Sequence, residues 1–231
     1  MACSRTSMNT FPSGTGSGRR DIAIDLVEPT SAGPHPAILL LHGSGGAGAY
    51  WLERFAPMLQ QTGIAAYAPH YFQSTGTDRA TPELILDGHH FPLWLRTLHD
   101  ALLWIAARPN INPDRLAVLG VSLGGFLTTA LAAELSAPAS LLRLRAAIEI
   151  SGGIAPDWES RLTSAAAPTL ILHGDRDTVV PLQQATHLRD VLVARQIPHQ
   201  LEILSGETHW LTPAAQLRML LTTGSFLKRH L

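Results

Sequence analysis

The chain has 231 residues and a mass of 24.9 kDa, with 45% hydrophobic and 15% charged residues. That balance excludes a disordered or fibrous chain and supplies enough apolar material for one sizeable core. A formal net charge of -1 leaves no basic field to hold a phosphate backbone, which excludes a dedicated nucleic-acid binder.

Residues 1–19 are rich in Gly, Ser and Thr and lack the apolar core of a secretory signal. They read as a mobile arm ahead of a catalytic-sized domain over 20–231. Cys3 is the only cysteine, so neither an intramolecular disulfide nor a thiolate metal cluster is expected. No apolar run reaches the roughly 18 residues of a membrane-spanning helix. The expectation is a cytoplasmic protein with no membrane or nucleic-acid partner, its oligomeric state left open.

The segment 21–27 alternates polar and apolar residues, as a half-buried antiparallel edge strand does. Residues 37–41 are continuously apolar and run into His42-Gly-Ser-Gly-Gly46, which predicts a buried parallel strand entering a glycine loop. Trp51, Leu52, Phe55, Met58 and Leu59 fall at helical spacing within 49–62, and 64–68 reads as the next strand. An amphipathic helix follows over 92–108, then a strand over 115–119 and an Ala/Leu-rich helix over 123–135. Strands over 146–150, 169–173 and 200–204 alternate with helices over 181–196 and 212–229. Such alternation predicts an α/β fold: a mostly parallel central sheet with helices on both faces.

Gly120-Val-Ser-Leu-Gly124, followed by Gly125, lies where a buried strand ends and a helix begins. This is the context of a nucleophile elbow, in which a strained turn exposes a serine hydroxyl above a helix N-terminus. Ser122 is therefore the candidate nucleophile. The acid and base should follow in the order Ser, Asp/Glu, His. The strand ending at His173-Gly174 delivers two acids, Asp175 and Asp177. Asp177, deeper in the loop, is favoured as the acid, and Asp175 reads as a turn residue. Among the 11 histidines, His209 alone sits on the loop after the last strand. The pair His89-His90 has no third ligand at metal spacing, so no metal is expected. Oxyanion donors are expected from the Leu123 N–H and from the glycine loop, where Ser44 is favoured and Gly43 competes.

Taken together, the loop 42–46, GVSLGG (120–125), HGDRDTVVP (173–181) and GETHW (206–210) resemble the α/β-hydrolase superfamily, and within it the dienelactone hydrolase-like esterases. The resemblance runs from about residue 20 to 231. It implies Ser122, Asp177 and His209 as a triad, Ser44 and Leu123 as oxyanion donors, and no cofactor. Three departures stand out. Ser122 occupies the family's cysteine position, Gly43 stands where a glutamate flanks the oxyanion site, and Trp210 replaces a smaller residue.

The expected activity is hydrolysis of small, short-acyl carboxylic esters through an acyl-enzyme. Peptidase-type acyl transfer and cofactor-free perhydrolysis share the triad, and a ligand-binding protein on the same scaffold is the reading without catalysis. The intervals 71–91 and 151–168 are too short for a large cap, with at most a short helix around 157–162. Tyr71, Phe72 and Trp210 are the candidate pocket walls.

Overall fold

The computed structural model describes residues 7–46 and 48–231. The backbone divides into two compact units, Met1–Leu116 and Ala117–Leu231.

In the first unit, β1 (Ser7–Ser13) and β2 (Arg20–Val27) form an antiparallel hairpin. β3 (His35–Leu41) is buried along its whole length and runs into α1 (Gly48–Gln61). β4 (Ala65–Pro69) pairs parallel with β3 and antiparallel with β2. α2 (Pro82–Leu86) and α3 (His90–Ala106) follow. The apolar stripe of α1, Leu52, Phe55 and Leu59, is buried, and the helix packs on β2, β3 and β4.

β5 (Ile111–Val121) crosses the boundary between the units. In the second unit it leads into α4 (Leu123–Leu135), β6 (Leu144–Ile150) and the four-residue α5 (Pro156–Glu159). β7 (Thr169–Gly174), α6 (Gln183–Ala194), β8 (His199–Leu204) and α7 (Pro213–His230) complete it. β6, β7 and β8 are parallel, with Ile148 opposite Leu170 and Leu170 opposite Gln200. The strand order is β1-β2-β4-β3-β5-β6-β7-β8. Repeated strand-helix-strand crossovers are what make the sheet mostly parallel. It is the α/β architecture expected from the alternation of apolar runs and helical stripes.

Two expectations are corrected. Residues 1–19 are not simply a mobile arm: Ser7–Ser13 is strand β1, and residues 1–6 lie outside the described residues. Phe11 is fully buried opposite Ile22, and the Ser13 hydroxyl donates to Asp100 at 2.8 Å. A strand that buries only Phe11 and Ser13 shows no alternation of apolar residues to read. For the same reason 21–27 is not an edge strand, because β1 covers its free side.

The interval 71–91 holds a 3-10 turn (Tyr71–Ser74), the five-residue α2 and the first two residues of α3, while 151–168 holds only α5 as regular structure. Neither amounts to a cap domain. Among the described residues no helix is long and apolar enough to cross a membrane.

Candidate active site

At the end of β5 the chain reverses into α4 within one residue. Ser122 adopts φ 57 and ψ -120, a region costing an L-residue on the order of 1–3 kcal/mol. Neighbouring contacts hold it there. Its N–H donates to Ile150 O at 2.8 Å, and its carbonyl accepts the Gly125 N–H at 2.8 Å. Glycine is sterically required at two positions around it. A Cβ on Gly120 would lie 1.9 Å from Gly124 O, and one on Gly152 would lie 2.9 Å from Ser122 O. The Leu123 N–H opens α4, where a helix has no intrahelical acceptor to offer it.

The loop after β7 carries Asp177, which is buried. Its Oδ1 accepts the backbone N–H groups of Val179 and Val180, both at 2.9 Å. Its Oδ2 lies 2.7 Å from His209 Nδ1, and His209 Nε2 lies 3.1 Å from Ser122 Oγ. A carboxylate can only accept, so His209 donates from Nδ1 and leaves Nε2 to accept from the serine hydroxyl. Three residues separated by tens of positions thus form one hydrogen-bonded chain.

Asp175 lies elsewhere. Its Oδ1 accepts the Gly206 N–H at 2.7 Å and ties down the turn after β8, as a turn residue should. Gly174 lets that turn pass, since a Cβ there would lie 2.4 Å from Glu207 O. Glu207, which the sequence does not single out, accepts the Thr212 N–H and hydroxyl, both at 2.7 Å. It thereby anchors the loop bearing His209 to the start of α7.

Two further buried groups adjoin this chain. His173 Nε2 lies 2.8 Å from Val180 O and 3.6 Å from Asp177 Oδ2. The carbonyl requires the proton on Nε2, and burial lowers the proton affinity of the ring, so His173 is a neutral donor. Glu149, on β6, is fully buried; burial first, and the Asp177 charge after it, push its carboxyl up to about 8. A lone acid within Ala-Ala-Ile-Glu-Ile is the sequence signal for it, since unpaired buried carboxylates are rare.

In the first unit the glycine loop is rigidly braced. His42 Nδ1 donates to Gly43 O at 2.8 Å, Gly46 N–H closes a turn onto Gly43 O, and Ala80 N–H donates to Ser44 O at 2.8 Å. Burial holds His42 down to about 4, so the imidazole is neutral. It stacks on Tyr71, whose hydroxyl donates to His42 O at 2.7 Å. Tyr71 is therefore core rather than pocket wall, which corrects the expectation. The reason is that its hydroxyl finds a buried carbonyl, so the whole side chain can be enclosed. Phe72, itself buried, forms one side of a pocket of about 190 Å³ with His42, Gly46, His70 and Asp78. Trp210 is 74% exposed, and its ring lies edge-on to His209 at 5.4 Å.

Comparison with known proteins places these features in a family. Over 107 residues the chain is 29% identical to the "Putative carbamate hydrolase RutD" of Escherichia coli O1:K1 / APEC, covering 46% of this chain and 36% of the relative. It thus spans only about a third of the length of those curated relatives. A broader match is the "Putative carboxymethylenebutenolidase" of Synechocystis, 22% identical over 89% of this chain and 85% of the relative. The crystal structure of dienelactone hydrolase from Anabaena variabilis superposes with a TM-score of 0.73 at 22% identity, covering 98% of this chain and 99% of that one. At that identity the likeness establishes a shared fold. The model of the dienelactone hydrolase family matches residues 22–215, and the chain therefore belongs to the dienelactone hydrolase family.

Proposed function

We propose that the protein is a serine carboxylic-ester hydrolase acting on small, short-acyl esters. The observation that carries this reading is the hydrogen-bonded chain from Asp177 through His209 to Ser122. Ser122 Oγ attacks the ester carbonyl while His209 Nε2 takes its proton. Collapse of the tetrahedral intermediate expels the alcohol, which leaves with that proton from His209. Water, activated by the same imidazole, then releases the acid from the acyl-enzyme. Asp177 keeps the imidazole in the tautomer that can accept, and stabilises the imidazolium. Every proton move is served by a side chain of the protein, and the cycle calls for no cofactor.

The Leu123 N–H at the start of α4 is assigned as one oxyanion donor, supported by its place at a helix N-terminus. Ser44 is assigned as the second on the sequence pattern of the 42–46 loop. Trp210 is assigned to the substrate side of His209 because an exposed indole beside the base offers an apolar face to an ester.

The test is labelling with a fluorophosphonate, together with hydrolysis of p-nitrophenyl acetate, butyrate, octanoate and palmitate. One equivalent of label on Ser122 and a preference for acetate or butyrate are expected. Unlabelled Ser122, or a preference for palmitate, would overturn the reading.

A further inference from the structure

β6 reads Leu-Arg-Ala-Ala-Ile-Glu-Ile, and its single carboxylate, Glu149, is fully buried, with no cation acting on it among the described residues. Such a group is costly, and its surroundings show where it acts. One carboxyl oxygen, Oε1, accepts the Gly152 N–H. A Cβ on Gly125, in the first turn of α4, would lie 3.0 Å from Oε1 and 3.2 Å from Glu149 Cγ. A Cβ on Gly152 would lie 2.7 Å from Oε1, 2.9 Å from Ser122 O and 3.0 Å from Gly125 Cα. The carboxyl therefore fills the space between the start of α4 and the segment after β6, directly behind the Ser122 turn. The next residue, Ile150, receives the Ser122 N–H.

We propose that Glu149 is a positioning residue, whose carboxyl fixes the Ser122 turn by joining the segment after β6 to the first turn of α4. This role rests on the serine-hydrolase reading. It is filled by the neutral acid. Asp177 has two backbone N–H groups and an imidazole N–H to support a negative charge, whereas Glu149 has the Gly152 N–H alone. Among the described residues its second oxygen, Oε2, is buried without a hydrogen-bond partner.

The groups around Glu149 give no help to a second charge. Asp177, on the loop after β7, is negative; His173, at the end of β7, is neutral. The first turn of α4 is Leu-Gly-Gly-Phe, and the segment after β6 is Ser-Gly-Gly. Of two carboxyls in one buried neighbourhood, the one with fewer donors keeps its proton, and that one is Glu149. Ionising Glu149 would set an uncompensated charge against the turn it holds, so turnover should fall as the pH rises through about 8.

The experiment compares kcat/KM for p-nitrophenyl butyrate from pH 6 to 10 in wild type, Glu149→Gln and Glu149→Ala, with Ser122→Ala as control. The amide keeps an oxygen for the Gly152 N–H and cannot ionise. Glu149→Gln should lie within tenfold of wild type at pH 7 and lose the fall near pH 8. Glu149→Ala should lie more than tenfold below wild type at pH 7, so that the amide acts as a rescue. If alanine prevents folding, the glutamine profile alone decides. Ser122-dependent activity whose glutamine profile superimposes on wild type would overturn the role of Glu149. Activity that survives in Ser122→Ala would instead overturn the serine-hydrolase reading, and this role with it.

Discussion

Replacing Asp177 by asparagine should cripple turnover while leaving the fold intact, and the structure says why. The new amide can sit in two orientations. Val179 and Val180 each point a backbone N–H at Oδ1, both at 2.9 Å. Placing the amide NH₂ there would set donors against donors. Each unmade buried hydrogen bond costs about 1–3 kcal/mol, so that orientation lies at least about 2 kcal/mol higher. At about 1.4 kcal/mol per factor of ten, it holds no more than about one molecule in thirty. The favoured orientation turns the NH₂ toward His209 Nδ1, which must then accept. The proton moves to Nε2, the atom that faces Ser122 Oγ at 3.1 Å, and the base is blocked. Loss of the charge that stabilises the imidazolium adds to the penalty. A fall in kcat of about 10⁴ is expected, the size seen when the tautomer is inverted in a well-studied serine protease. The assay is kcat on p-nitrophenyl butyrate, with circular dichroism and Tm to confirm the fold. A loss smaller than tenfold, or an equal loss in Asp175→Asn, would refute the reasoning, since Asp175 holds only the Gly206 N–H.

Ser122→Gly should abolish turnover yet raise stability by about 1 kcal/mol, because glycine tolerates φ 57 without strain; a lowered Tm would count against strain at the elbow. Gly120→Ala should cost more than 2 kcal/mol and at least a hundredfold in kcat/KM, because its Cβ meets Gly124 backbone at 1.9 Å; urea unfolding and ester hydrolysis measure both. Glu149→Gln should gain stability over wild type as pH rises. The folded carboxyl keeps its proton to about 8, whereas the unfolded one releases it near its ordinary value of 4.5. Wild type therefore loses folding free energy between those values, with a ceiling of about 5 kcal/mol. Tm for the two proteins, measured from pH 5 to 9, should diverge up to about pH 8 and then run parallel; a constant difference would show that Glu149 is not protonated when folded.

The spacing of apolar residues was enough to read the elements that bury a face continuously. β3, β6 and β7 are rich in Ala, Ile and Leu because parallel strands are covered on both sides, and α4 begins at the residue after Ser122. Ser122, Asp177 and His209 could be singled out because each follows the end of a strand and a nearby glycine, and the structure joins them in one hydrogen-bonded chain. β1 was not, since a strand held by Phe11, by backbone pairing to β2 and by the Ser13–Asp100 bond leaves almost no pattern of its own. Nor was the fate of Tyr71 legible, because whether an aromatic ring lines a pocket or fills a core depends on what its hydroxyl meets, here His42 O, 29 residues away. The same holds for Glu149. Its position in an apolar run marks it as unusual, but its relation to Gly152, Gly125 and Asp177 exists only once β6, α4 and the loop after β7 converge. Local periodicity records which face of an element is buried; which buried groups then meet is a property of distances through space, which tertiary structure alone decides.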